Sequence, residues 1–569
     1  MDFQYHYLNQ KRKALMLFLL LFASCVAIGQ DRDDDIPAVS DTYAFTNANI
    51  VTAPGQLIEK GTIIIKKGVI TAVGSGISVP AGAKEIAADS MFIYAGFIDG
   101  FSHTGIPTPK DKPSRPDDLL PASPPDDYAG IQPWRTAESF LAPKDGSVES
   151  LREAGFAIAH VAPQGKMLPG QGAIILLKGA SPSEMVLKPS TSLFAQFVGA
   201  SGAFPSTPIG VMTKFRGLYK NAELTYSNEK LYAQNAVGLT RPVYDKSLSA
   251  FYPVIDKKTP VFFRAEELLE AHRAMILQKD LGFTLVLTGL KQGWELAPKL
   301  KATNTKVLLS LNLPEKKEEK EEKADSTEVE KELTVFEKEY EALKKRKEEA
   351  QKMYYAQAAT MQKAGVDFAF SLLDTKPKDV HKNIRLMVEN GLSEADALAA
   401  LTTKPASILG ISSYTGTLQK GKMGNLFVST KSYFEEESNI KYVMIDGELF
   451  EFEVKEKEDK EAPAEGIKAA GTWKYEVESP EGVYDGKMII EGDNDDLSAK
   501  MSVNTPEGIM NVSPKNVELS GNTLSFEFDF PSQDGMLAVY VSVKIDGDSF
   551  EGTASVEGEA LPITGTRVP

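Results

Sequence analysis

Histidine and cysteine are the side chains that most readily make a reactive or metal-binding site, and this sequence holds five of the first and one of the second in 569 residues. His6 and Cys25 fall within the first 29 residues, which leaves His103, His160, His272 and His381 for the rest of the chain. A single Cys excludes an internal disulfide framework and any multi-thiolate zinc or iron–sulfur site. His160 closes the apolar run Phe156–His160, so it either faces the mouth of a site or is a satisfied structural histidine at a strand end. His272 and His381 fall in helical patterns and read as surface or packing residues. There is no Gly-x-Ser-x-Gly elbow, P-loop or dinucleotide-binding glycine pattern. The Gly-rich stretch Gly165–Gly172 reads as a loop entering a strand rather than a phosphate cradle.

The chain that must position these residues is long enough for several domains. Its 63 basic and 79 acidic side chains give a net charge of −16, so it repels nucleic acid, and no basic patch reverses that. Residues 1–29 read as a signal peptide: Lys11-Arg12-Lys13, then an apolar run from Ala14 to Ile28 and small residues before Gln30. The apolar run is short for a membrane span, so an exported protein with no transmembrane span after signal removal is expected, periplasmic or associated with the cell envelope. Lipid attachment at Cys25 is the less favoured route, because Phe22 stands where a lipobox begins.

A tail at residues 30–42 precedes short β-rich runs over 43–94, with Lys67-Gly68 as a tight turn. Strand and helix patterns then alternate over 95–415. The strands are expected at Phe92–Ile98, Phe156–Val161, Ala173–Leu177, Val261–Phe263, Thr284–Leu287, Lys306–Leu311 and Phe368–Leu372. This alternation is that of a parallel (β/α)8 barrel. Residues 315–350 are dominated by Glu and Lys and read as a charged helical insertion. A second β-rich set at 416–454 completes a composite sandwich with the first. Residues 455–470 form a Lys/Glu/Pro/Ala linker, and 471–569 alternate as a small antiparallel β-domain of about eight strands. Gly471-Thr472-Trp473 and Arg567 resemble the lipocalin-like pattern in which a Trp and a late Arg close one end; a plain sandwich is the alternative.

Tyr94-Ala-Gly-Phe-Ile-Asp99-Gly-Phe-Ser-His103 resembles the segment that opens the barrel in the amidohydrolase superfamily. Lys66–Gly74, Gly391–Gly410, Gly416–Lys422 and Val443–Gly447 are similar to its flanking segments, so the likeness spans residues 43–454. Among subgroups the sequence is most similar to the imidazolonepropionase-related proteins. The resemblance implies one or two divalent metals held at the carboxyl ends of the strands. The ligands would be a His-x-His pair after strand 1, a His after strands 5 and 6, and an Asp after strand 8.

Carried over residue by residue, that apparatus is thin. Phe101 and His103 stand at the pair, Arg264 at the strand-5 ligand, Leu290 or Lys291 at the strand-6 ligand, and Leu373 at the strand-8 Asp. Phe101, Arg264, Leu290 and Leu373 are therefore lost-ligand positions. Asp374 lies one residue late, which on a strand turns a side chain to the opposite face. The family's metal would fall to His103, with His160 and Asp374 as candidate catalytic groups. A guanidinium repels a cation, so Arg264 suits a carboxylate or other anion, or fills the site as a structural ion pair.

Three functions remain open on these residues. The first is an exported relative of hydrolases of non-peptide carbon–nitrogen bonds that is weakly active or non-catalytic. It would bind a small amide or carboxylate ligand, or an active amidohydrolase relative, with no cofactor. The second is an active hydrolase of amides or cyclic amides with one zinc-like metal on His103 and His160 or Asp374. The third is a cell-envelope binding protein acting through the C-terminal β-domain, which would show an open, aromatic-lined mouth.

Overall fold

The apolar runs in the middle of the chain pair side by side into one eight-stranded sheet. In the computed structural model, residues 41–109, 119–314, 335–454 and 467–568 are described, apart from positions 480–481, 495, 506–507, 533–534 and 557–558. The expected signal peptide with His6 and Cys25, residues 315–334 of the insertion and residues 455–466 of the linker lie outside the described residues. The chain divides into two compact units at Val454/Lys455. No helix among the described residues is long and apolar enough to cross a membrane.

In the first unit the barrel strands are β1 (Phe97–Ser102), β2 (Phe156–Val161), β3 (Gly170–Leu176), β4 (Val186–Gln196), β5 (Val261–Arg264), β6 (Leu285–Leu290), β7 (Lys306–Ser310) and β8 (Phe368–Ser371). They follow one another around a TIM-like barrel in sequence order. Side chains tie the last strand to the first: Leu372 N donates to Asp99 Oδ1 at 3.0 Å and Ser371 Oγ to the Phe101 carbonyl at 2.7 Å. The interior is filled by large residues, among them Phe97, Phe101, Phe156, Phe194 and Phe262, each at most 1% exposed. It is a packed core rather than a pore.

One strand departs from the all-parallel arrangement that the alternation predicts. β3 runs antiparallel to both β2 and β4. The reason is connection length: only residues 162–169 and 177–185 join these strands, too few for a parallel crossover. β4 itself has no counterpart among the expected strands. Its first half carries Pro189 and polar, exposed residues; Ser192–Gln196 is buried, and Leu193–Gln196 pairs with β5.

A second eight-stranded sheet joins both ends of the unit. Phe92–Ala95 pairs antiparallel with Leu426–Ser429 and parallel with Thr42–Ala53. Lys67 and Gly68 both have positive φ, as a two-residue hairpin turn requires. A Cβ on Gly68 would lie 2.8 Å from Asp446 Oδ1, so the facing Asp446-Gly447 turn leaves room for glycine alone. After β7 the insertion enters the described residues as the helix Val335–Tyr355.

Among the described residues the second unit is an all-β region of nine strands: β9 (Gly471–Ser479), β10 (Gly482–Asp493), β11 (Asp496–Thr505), β12 (Gly508–Val512), β13 (Lys515–Ser520), β14 (Thr523–Ser532), β15 (Gly535–Asp546), β16 (Ser549–Val556) and β17 (Glu559–Val568). The sheet order is β12-β11-β10-β9-β17-β16-β15-β14-β13, all antiparallel. Trp473, Tyr475, Phe526, Phe528 and Phe550 belong to its own hydrophobic core. The inward face is thus packed with side chains. The Arg567 guanidinium lies 4.2 Å from the centroid of the Trp473 ring, and Trp473 Nε1 donates to the Ala469 carbonyl at 3.0 Å.

Candidate functional site

The carboxyl ends of the parallel strands bring four charged side chains together. Arg264, the last residue of β5, donates from Nε to Glu266 Oε1 at 2.8 Å and pairs through Nη2 with Asp374 Oδ2 at 2.5 Å. Lys291, just beyond β6, donates to the other oxygen of Glu266 at 2.6 Å. Burial pushes the Glu266 carboxyl up, but Lys291 and Arg264 outweigh it and hold the pKa below the usual carboxylate value. Asp374 reaches this cluster because its φ is +59°, a left-handed conformation that Asp tolerates. That twist cancels the one-residue offset that a regular strand would have imposed.

His103 stands beside the cluster, with Nδ1 bonded to the Ala162 carbonyl at 2.7 Å. Burial lowers its pKa, Arg264 adds to that, and Asp374 opposes it. Gln196 and Thr288 flank Arg264 in register on β4 and β6. Gln196 Oε1 and Thr288 Oγ1 are buried without a protein hydrogen-bond partner.

His160 lies deeper than the charged cluster. Its Nδ1 meets the Gly100 carbonyl at 3.1 Å and its Nε2 meets Ser192 Oγ at 2.9 Å, so both ring nitrogens are engaged. Phe101 packs 5.5 Å from it and Phe262 4.5 Å, centroid to centroid. Phe262 precedes Arg264 by two residues on the same side of β5, so these rings form the layer beneath the charged one. Burial drives the His160 pKa down to about 4, which keeps it neutral at physiological pH. Gly172 leaves space for the pair: a Cβ there would lie 2.5 Å from Ser192 Oγ and 2.8 Å from His160 Nε2. His160 and Ser192 are both fully buried.

Two comparisons identify the fold around this mouth. Residues 285–450 match the model of the amidohydrolase family. An amidohydrolase from Thermotoga maritima MSB8 superposes with a TM-score of 0.58 at 21% identity, over 72% of this chain and 100% of that one. The first unit therefore has a fold similar to that of an amidohydrolase barrel. Also similar are a Xaa-Pro dipeptidase with bound methionine in its active site (TM-score 0.41, 13% identity, 72% of this chain, 100% of that one) and molinate hydrolase (0.40, 15%, 72%, 95%). No curated protein matches the sequence.

Amidohydrolase barrels place divalent metals at this mouth, so the residues present can be tested against such an ion. Phe101, Leu290 and Leu373 are buried hydrocarbon at three positions where the sequence resemblance implies ligands, and Arg264 is a cation at a fourth. Asp374 is already committed to Arg264, and His160 to Ser192 and Gly100. Among the described residues, no three His, Cys, Asp or Glu side chains are grouped to hold a metal ion. This donor set does not fit a divalent cation.

Of the residues singled out in the sequence, Arg264 and Asp374 meet directly, His103 lies next to them, and His160 is sealed below. Glu266, Gln196, Thr288 and Ser192 carry no family motif and were not anticipated. Glu266 had one signal: an acidic residue two positions beyond the strand-end arginine.

Proposed function

We propose that this amidohydrolase relative is exported and that its barrel is non-catalytic, with an internal ion cluster standing where the superfamily holds metal. One observation carries the reading: a single guanidinium engages both Glu266 and Asp374 at the strand ends. Cations from the chain itself, Arg264 and Lys291, neutralise the mouth carboxylates, and hydrocarbon fills the positions where imidazoles would be needed. On this reading the mouth serves as a binding surface for a small carboxylate or amide ligand, or for an active relative. Metal-assisted hydrolysis has no place to form its nucleophile there.

The test is metal content and turnover of the chain from residue 30 onwards, after incubation with zinc, manganese or iron. The expected outcome is far less than one metal per chain and no hydrolysis of N-acyl amino acids, dipeptides or cyclic amides. Stoichiometric metal that disappears on His103→Ala would overturn the proposal and favour a single-metal hydrolase.

A further inference from the structure

A cavity of about 1250 Å³ lies against the second unit, on the outward face of its sheet rather than inside it. Two cross-strand rows of polar residues line it. One runs Ser502–Lys487–Lys474–Thr566–Ser549–Asp546 across β11, β10, β9, β17, β16 and β15. The next runs Asn504–Asp485–Glu476–Thr564–Glu551–Lys544 across the same six strands, with Asn504 Nδ2 donating to Asp485 Oδ2 at 2.9 Å.

Between these rows lies a row of the opposite parity, Gly486–Tyr475–Gly565–Phe550. A Cβ on Gly486 would stand 2.0 Å from the Ser502 carbonyl and 2.6 Å from Tyr475 Oη; one on Gly565 would stand 2.3 Å from the Phe550 ring. Glycine at these two positions lets each aromatic ring lie flat across its neighbouring strand. The cavity lies over this row.

Two facing pairs of the concavity work against the fold. Lys474 is directly opposite Lys487, and Glu476 is directly opposite Asp485. Like charges in facing positions destabilise an antiparallel pair. Exchanging one residue of each pair would have produced two ion pairs. Instead none of the three lysines of the concavity, Lys474, Lys487 and Lys544, forms an ion pair among the described residues, although all are exposed. Arrays elsewhere on this unit do pair, as Lys515 does with Asp529 and Arg567 with Asp548.

We propose that this concavity binds an acidic oligosaccharide. Two ammonium groups side by side supply a site for a sugar carboxylate. The adjoining row of carboxylates, amide and hydroxyl suits the vicinal hydroxyls of neighbouring units. Six strands at their usual spacing make a groove roughly 24 Å long, the length of an extended chain of several sugars. The groove offers no exposed aromatic or aliphatic floor for a lipid.

The experiment is calorimetric titration of the full chain with oligogalacturonate, with dextran oligomers as the neutral control and a DNA duplex as the polyanion control. Oligogalacturonate is expected to bind, and Lys474→Ala/Lys487→Ala to weaken it at least about tenfold. Glu476→Gln/Asp485→Asn should also weaken binding, while Lys279→Ala, on a helix of the first unit, should leave it unchanged. All four substituted lysines and acids are exposed, and an unaltered second-unit melting transition confirms that the fold is kept. Absence of oligogalacturonate binding, equal binding of dextran or of the duplex, or binding indifferent to the lysine pair would each overturn the proposal.

Discussion

Arg264 at the end of β5 and Asp374 just past β8 are 110 residues apart in sequence and joined by a 2.5 Å ion pair. The pair links two strand ends across the barrel mouth. Its side chains are 24% and 45% exposed, so it is only partly shielded from water and salt. Its value should lie between that of a surface pair and that of a buried one.

Arg264→Met is therefore expected to destabilise the first unit by about 1–2 kcal/mol, since Glu266 and Asp374 lose their shared partner. In a double-mutant cycle with Asp374→Asn, chemical denaturation should show coupling of roughly 1 kcal/mol that shrinks in 1 M salt. A coupling of zero would mean that the pair does not hold the mouth together.

The barrel interior carries two titrations of opposite sign. His160 has its pKa lowered to about 4 by burial, so its folded form binds fewer protons than the unfolded chain. Its contribution is fully present above the ordinary histidine value and is lost as pH falls towards 4. Asp99 is raised to about 6 by burial, although Ser102, Leu372 N and Phe101 N pull the other way, and its Oδ2 has no protein partner. Protonation of Asp99 therefore stabilises the fold as pH falls through 6 towards the unfolded carboxylate value. Between pH 6 and 4 the two offset one another. Denaturation at several pH values should show Asp99→Asn losing stability on acidification more steeply than the wild type, and His160→Gln less steeply. Parallel pH profiles for all three proteins would contradict this account.

In the second unit Arg567 Nη1 also donates to the Ala470 carbonyl at 2.6 Å and Nε pairs with Asp548 at 3.0 Å, while its guanidinium lies over Trp473. Trp473 is fully buried. Trp473→Ala should cost about 3–5 kcal/mol, and Arg567→Met roughly 1–2 kcal/mol. Calorimetry should show the loss in one melting transition only. An equal shift of both transitions would mean that the units do not melt separately.

The barrel and the all-β region were legible because their signals are local. Period-two alternation marks Leu524–Phe530 and Leu537–Ile545, and apolar runs mark most barrel strands. β4 was not legible, because Pro189 and its exposed neighbours Lys188 and Ser190 interrupt the pattern before the buried half begins. The direction of β3 is set by the lengths of two connections, which no periodicity reports. At the mouth, Arg264 and Asp374 could be placed at strand ends from sequence, but their meeting depends on one left-handed backbone angle. The His160–Ser192 contact joins residues 32 apart on strands separated by β3, and it leaves no mark in composition or spacing.

The reversed direction of β3 bears on how the barrel is assembled. Strands β2, β3 and β4 form a meander within residues 156–196, so its pairings join residues close in sequence. The parallel pairings elsewhere must first close much longer loops, such as the one between β4 and β5. Local antiparallel contacts carry a smaller loop-closure entropy and form faster. The meander is thus placed to act as an early template, with the edge of β4 ready to receive β5 and the edge of β2 ready to receive β1. The His160–Ser192 hydrogen bond would then form before the charged rim above it exists.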